Sequence, residues 1–283
     1  MSIRFRTAYI FFISCILSSC TSLQYRASND EVYNAFAKAS VPTTIDYYTV
    51  DSLDLKVRVQ HVTAEGNEVN LVFFHGSPSS NYAWHRYLKD SSLGIAANMH
   101  AIDRPGYGYS NFGKSMPSLE KQGEVMSALL EHYDLKNVIA VGTSYGGPVA
   151  ARLAAINSRV KGVVMISPAI DPKNEKRIWQ SDFTQFFLTR WLVPTGYRVA
   201  GDEKTVHAAE LAKIEKDWDN VRVPVIHIHG DADDIVPYIN VEYSEKVFKN
   251  IEIITVPDAG HEIAWRRSDV VIPYLLKMIQ RIR

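Results

Sequence analysis

The stretch NVIAVGTSYGGPVA, Asn137 to Ala150, carries the first decision about this chain. Val138, Ile139 and Val141 form a short β-branched run suited to a buried strand, and Pro148 to Ile156 read as a small-residue helix. Between them lies Gly142-Thr143-Ser144-Tyr145-Gly146, a G-x-S-x-G pattern in the strand, turn, helix context that such a pattern requires. A serine at that elbow projects its hydroxyl clear of the sheet, and the residue after it offers a backbone N–H from the first helical turn. A glycine-rich turn of this kind also cradles phosphate through exposed N–H groups, so the choice depends on partners elsewhere in the chain.

Composition sets wide bounds. The 283 residues are 46% hydrophobic and 22% charged, enough for a sizeable core in one large domain with an insertion. Lys plus Arg equals Asp plus Glu at 31 each, so no excess of basic charge points to nucleic acid. The beginning differs from the rest. Arg4 and Arg6 precede an uncharged apolar run, Ala8 to Leu17, shorter than the roughly 20 residues of a membrane span. Residues 1–19 therefore read as a secretory signal, and Leu17-Ser18-Ser19-Cys20 resembles the lipobox of bacterial lipoproteins, in which the cysteine is lipidated and becomes the new N-terminus. The alternatives are an ordinary signal cleaved near Ser19 or an uncleaved anchor. Cys15 would leave with the signal, so the mature chain has no disulfide. Thr21 after the cysteine, in place of aspartate, favours the outer membrane in the resembled lipoproteins. The expectation is an envelope protein whose membrane partner is reached through its N-terminal lipid.

Residues 20–43 read as a tether and a short helix, Asp30 to Ala39, with Ser28 or Asn29 as N-cap. Thr44 to Val50 and Leu55 to Val62 alternate apolar and polar residues, predicting a half-exposed pair at a sheet edge. Val69 to Phe74 predicts a fully buried parallel strand ending at His75-Gly76-Ser77-Pro78, where open α/β sheets place ligands. The Ser77 N–H is the expected second donor to an anionic oxygen, with His75 a buried loop residue. Ile95 to Ile102 predicts another strand, followed by Asp103 to Ser110, a wide turn braced by the Asp103 carboxylate. Leu119 to Leu135 has helical spacing, and Val160 to Ile166 gives a further buried strand. Residues 171–220 interrupt the alternation and predict a helical lid. Its aromatics, Trp179, Phe183, Phe186, Phe187, Trp191 and Tyr197, suit either an apolar substrate pocket or the insertion's own core. Val223 to His229 and Ile251 to Val256 are the last strands, with Ser268 to Ile282 a closing helix.

An acidic turn, Gly230 to Pro237, and then Asp258-Ala259-Gly260-His261 follow those two strands. Ser144, an acid and His261 thus fall in the order Ser, Asp, His, each after a strand whose C-terminal end lies on one sheet edge. A serine hydroxyl needs a neutral imidazole to take its proton, and the imidazole needs a carboxylate to hold its tautomer. FFHGSP, DRPGYGYS, VGTSYGG, HGDADDIVP and AGHEIAW together resemble the α/β-hydrolase fold superfamily over Thr44 to Arg283. The resemblance implies a mostly parallel sheet flanked by helices, with residues 44–170 and 221–283 as the core. It implies Ser144 as nucleophile, His261 as general base, and the N–H groups of Ser77 and Tyr145 as oxyanion hole. The family's Gly-x-x-Asp spacing lands on Asp233, with Asp231 and Asp234 close by. The HGSP form is similar to the branch of epoxide hydrolases and haloalkane dehalogenases, which use an aspartate where this chain has Ser144.

The expected reaction is hydrolysis of an apolar carboxylic ester through an acyl-enzyme. Acyltransferases, thioesterases and carbon–carbon bond hydrolases share the constellation, and a silent envelope binding protein would retain the fold. A lipase would expose more apolar surface round its entrance. No metal-ligand pattern and no cofactor signature is present, since His261-Glu262 lacks a second histidine and His227 and His229 read as packing residues. Oligomeric state is not encoded in any of these features.

Overall fold

The computed structural model describes residues 25–176 and 179–283. The signal expected over residues 1–19 and the lipid attachment expected at Cys20 lie outside the described residues. Eight strands, β1 (Thr44–Val50), β2 (Leu55–Val62), β3 (Asn70–Phe74), β4 (Asn98–Ile102), β5 (Val138–Thr143), β6 (Val160–Ile166), β7 (Val225–Gly230) and β8 (Ile251–Val256), form one sheet. Its order is β1-β2-β4-β3-β5-β6-β7-β8, antiparallel at β1/β2 and β2/β4 and parallel elsewhere. The helices are α1 (Asn29–Ala37), α2 (His85–Leu88), α3 (Ser91–Ala96), α4 (Leu119–His132), α5 (Gly146–Ile156), α6 (Gln180–Gln185), α7 (Thr195–Ile214), α8 (Ile239–Val247), α9 (Ile263–Arg266) and α10 (Ser268–Ile282).

Strand alternation divides the core between the two sheet faces. Val72 and Phe74 of β3 join Val125 and Leu129 of α4 and Val149 and Leu153 of α5 on one face. Leu71 and Phe73 turn the other way, onto Val32 and Phe36 of α1 and Val271, Leu275 and Met278 of α10. The start of α1 is fixed locally: Ser28 Oγ accepts the Glu31 N–H and Glu31 Oε2 accepts the Ser28 N–H, a reciprocal capping box.

Two strand expectations need correction. Ile95 lies on α3, not on a strand, because Asp90 Oδ1 accepts the Leu93 N–H and starts a helix there; β4 begins only at Asn98. The β1/β2 pair is not uniformly half-exposed. β1 is the edge, but β2 is almost wholly buried between β1 and β4. Two of its polar residues reach distant segments inside the protein: Arg58 Nη1 donates to Ala27 O at 2.9 Å, and the Gln60 side chain meets His85 Nε2 at 2.9 Å and Thr43 Oγ1 at 3.2 Å. Asp103 does brace its turn, accepting the Asn81 N–H at 2.7 Å and the Tyr109 N–H at 2.9 Å.

Buried imidazoles give the fold a pH dependence. Burial, helped by Lys89 and Arg58, pushes His85 down to about 3, and burial with His61 pushes His100 down to about 3. When unfolded, both take up protons near the ordinary 6.5. Between those values the unfolded chain binds protons that the folded chain refuses, so stability falls as pH drops from about 6.5 toward 3. Melting temperatures measured across that window should decline steadily. His85→Gln, which keeps a donor for the Gln60 carbonyl, should flatten the decline; an unchanged slope would remove His85 from its cause.

Candidate active site at the C-terminal edge of the sheet

Ser144 follows β5 directly and has φ +52°, the left-handed region that a β-carbon disfavours. Its backbone is held on both sides: its N–H donates to Ile166 O at 3.0 Å, and its carbonyl accepts from Gly147 at 3.0 Å and Ala169 at 3.2 Å. The sharp turn also needs two missing side chains. A β-carbon on Gly142 would stand 2.1 Å from Gly146 O, and one on Gly146 would stand 2.2 Å from Phe74 O. Backbone of α5 therefore sits directly against the end of β3, with Ser144 partly exposed at the top.

The loop after β3 is pinned from behind. His75 is buried, its Nδ1 2.7 Å from Gly76 O, while its Nε2 accepts the Arg104 N–H at 2.9 Å. Burial, and then the Arg104 charge, hold this imidazole well below its usual pKa, so it is a neutral strut. Arg104 donates from Nε to His75 O at 2.8 Å and from Nη2 to Gly76 O at 3.1 Å. The same guanidinium meets Glu203 of α7 through both nitrogens, at 2.6 and 3.2 Å, with both side chains fully buried. Tyr107 closes the loop: its hydroxyl donates to Glu203 Oε2 at 2.6 Å and accepts from Ser77 Oγ at 2.6 Å. Among the described residues, neither the Ser77 nor the Tyr145 amide donates to a protein acceptor.

On the far side, His261 Nδ1 lies 2.8 Å from Asp233 Oδ2. The other carboxylate oxygen accepts the N–H groups of Ile235 at 3.0 Å and Val236 at 2.8 Å, which fixes the plane of the group. Burial works to raise the Asp233 pKa but is outweighed by the hydrogen bond and charge of His261 and by the Val236 amide, leaving it below the ordinary carboxylate range. Asp231 and Asp234 are exposed, and Asp231 instead accepts the Asp258 N–H at 2.7 Å. Of the three neighbouring acids, the structure brings Asp233 to His261.

Ser144 stands where two cavities meet. One, of about 650 Å³, is walled by Gly76, Ser77, Tyr82, Ser144, His261 and Trp265. The other, of about 330 Å³, runs beneath the β6–β7 connection and is walled by Ser77, Ser144, Tyr145, Thr184, Ala200 and His207. His207 is anchored by Nε2 to Ala169 O at 2.9 Å and packs on the Tyr145 ring at 4.5 Å between centroids. The large aromatics of the connection do neither thing expected of them. Trp179, Phe183, Phe186, Phe187 and Trp191 are exposed and wall neither cavity; Tyr197 alone of the six does. His227 and His229 form a buried chain, Nε2 to Nδ1 at 2.8 Å, ending 3.5 Å behind Asp233 Oδ2. Arg104, Glu203 and His207 were not singled out as functional residues in the sequence. Arg104 sits in the DRPGYGYS piece, but Glu203 lies 99 positions away with no local signal.

A mostly parallel eight-stranded sheet with a serine elbow and an aspartate–histidine pair on one edge defines an α/β hydrolase by its architecture. The model of the alpha/beta hydrolase family matches residues 71–273, and the chain belongs to that family. It is similar to a non-heme chloroperoxidase of Burkholderia pyrrocinia, 26% identical over 258 residues that cover 74% of this chain and 91% of the relative. A haloalkane dehalogenase of Agrobacterium fabrum is 29% identical over 144 residues, covering 50% of this chain and 44% of the relative. Among solved structures, a bacterial membrane phospholipase A superposes with a TM-score of 0.64 at 16% identity, over 99% of both chains, a likeness of fold.

The Arg104–Glu203 pair makes a direct prediction. Glu203→Ala strands a buried guanidinium and should cost about 3–5 kcal/mol of unfolding free energy. Denaturant titration of the purified variant checks it, and a loss below about 1 kcal/mol, the scale of an exposed pair, would deny the contact its structural weight.

Proposed function

We propose that this chain is a serine hydrolase that cleaves a carboxylic ester through an acyl-enzyme. The observation that carries this reading is the 2.8 Å contact between His261 Nδ1 and Asp233 Oδ2, on the wall of the cavity that also holds the Ser144 elbow. Asp233 accepts the Nδ1 proton, so the lone pair of His261 falls on Nε2, the nitrogen required of a general base. Ser144 loses its proton to that nitrogen as its oxygen attacks the ester carbonyl, and His261 returns the proton to the departing alcohol. Water then enters, gives its proton to His261 and splits the acyl-serine, releasing a carboxylic acid and regenerating Ser144. The amides of Ser77 and Tyr145, unspent on protein carbonyls, would receive the negative oxygen of each tetrahedral intermediate.

Ser144 favours acyl chemistry over dehalogenation, since an alkoxide lacks the second oxygen through which an aspartate ester is hydrolysed. The smaller cavity, with Ala169, Ala200, Gly201, Ile235 and Val236 in its wall, suits an apolar acyl group. Residues 171–220 act in this reading as a lid that roofs the cavity, and Cys20 carries a lipid that holds the mature chain to the envelope membrane.

Purified protein assayed on p-nitrophenyl esters of graded acyl length, with a fluorophosphonate label, tests the chemistry. Ser144→Ala and His261→Ala should abolish turnover while the protein stays folded, and Ser144→Ala should also abolish labelling. Asp233→Asn should lower kcat by about 10⁴. Full turnover in either alanine variant sinks the assignment, and a severe Asp234→Asn beside a mild Asp233→Asn moves the acid by one residue. For the anchor, the native chain grown with labelled palmitate should incorporate label and Cys20→Ala should not; equal incorporation would end the lipoprotein reading.

A further inference from the structure

The connection between β6 and β7 is built inside out for a protein surface in water. Ser181 and Thr184, one helical turn apart on α6, face the smaller cavity. Phe183, Phe186, Phe187, Trp191 and two leucines point the other way, with Phe187 75% and Trp191 72% exposed. Trp179 packs edge-on to Phe183 and Phe186 to Phe187, centroids 5.7 and 5.3 Å apart, so the exposed rings pair with one another and not with the core. Between Trp179 and Leu192 the chain carries two charged residues, Asp182 and Arg190, and Arg190 is turned back onto Asp202 at 2.7 Å. An exposed run of apolar side chains this dense marks a contact surface.

The larger cavity has an apolar mouth of its own, and Tyr197 of the same connection lines both cavities. Tyr82, Ile235 and Trp265 are exposed on the wall of the larger cavity. Tyr25, the first described residue, also lines that cavity, and its hydroxyl is 2.8 Å from that of Tyr197 in the connection. The chain therefore reaches Cys20 within five residues of the cavity mouth, a span of at most about 17 Å when fully extended. An acyl chain attached there would put the mouth and the aromatic patch against the same bilayer. Aromatic side chains are the ones favoured at the boundary between headgroups and hydrocarbon.

We propose that residues 179–192 form a membrane-seating surface that presses the mouth of the cavity onto a lipid bilayer, so that the ester cleaved is drawn from the membrane and not from solution. The substrate half of this proposal rests on the hydrolase reading above; the seating half rests on the exposed aromatics together with the lipid proposed at Cys20, and not on the hydrolase chemistry. Bilayer lipid is a carboxylic ester whose acyl chain passes from hydrocarbon into the Ser144 cavities without crossing water.

The test uses the full chain in vesicles of phosphatidylethanolamine and phosphatidylglycerol, doped with phosphatidylcholine brominated along its acyl chains. Ser144→Ala protein keeps the lipid intact. Its tryptophan emission should be quenched by the brominated lipid, and Phe187→Ser with Leu188→Ser, which leave Trp179 and Trp191 as reporters and wall neither cavity, should relieve most of that quenching. With Ser144 restored, the double variant should release fatty acid from vesicles about tenfold more slowly or worse, with turnover of soluble p-nitrophenyl butyrate unchanged. No quenching, or equal loss on vesicles and on the soluble ester, overturns the proposal. So does a dimer that the double variant dissociates, which would assign the patch to a second copy of the chain. Quenching without turnover of either ester would keep the seating surface and reject the hydrolase.

Discussion

The guanidinium of Arg104 is the point at which the site is held together. It stands at the end of β4, yet its hydrogen bonds go to two carbonyls of the loop after β3, to a carboxylate on α7 and to Gln122 Oε1 on α4. Burial opposes its charge, and Glu203 and Tyr107 outweigh that opposition. A fully buried ion pair gives little net stability against an apolar replacement, because desolvation consumes most of the attraction. Its effect here is positional. With its donors shared between the loop bearing Ser77, the Glu203 carboxylate and Gln122 of α4, the guanidinium ties that loop and the helix bearing Glu203 to each other.

The elbow obeys the same economy. A serine held at positive φ is strained by itself. It persists because Ile166, Gly147 and Ala169 fix its backbone, and because Gly142 and Gly146 let α5 close onto β3. On the opposite side Asp233 is immobilised by two amides, and behind it His229 donates from Nε2 to Val236 O at 3.0 Å. That bond leaves His229 Nδ1 as acceptor for His227, and burial keeps both rings below their usual pKa. Neutral imidazoles behind the carboxylate add no competing charge, so its negative charge is directed at His261.

What the sequence disclosed was local. The strand, turn and helix around Ser144, the strand endings that carry Asp233 and His261, and the start of α1 near Ser28 are all specified within a few residues of themselves. What it withheld was polarity satisfied at long range. Arg58 and Gln60 alternate with valines and so imitate an exposed strand, although Ala27, Thr43 and His85 meet them inside the protein. Glu203 looks like one more surface acid on an amphipathic helix. The aromatics after Trp179 erred the other way, since hydrophobicity suggested burial and could not reveal which side of the cavity wall they occupy.

That wall ties the shape of the cavity to the position of the loop after β3. Ala200, Gly201, Lys204 and His207 line the smaller cavity, and all lie within four residues of Glu203 on the same helix. A substitution that widens the cavity by shifting α7 must also shift the carboxylate that fixes Arg104, and with it the loop of Gly76 and Ser77. Changes confined to side-chain volume at Ala200 can resize the pocket without moving that anchor. Changes that demand backbone movement cannot, because a β-carbon on Gly201 would already stand 1.8 Å from Thr184 Oγ1 on α6. The helix is clamped between α6 and the buried ion pair, so the shape of the smaller cavity is set by side chains on a backbone that is not free to follow them.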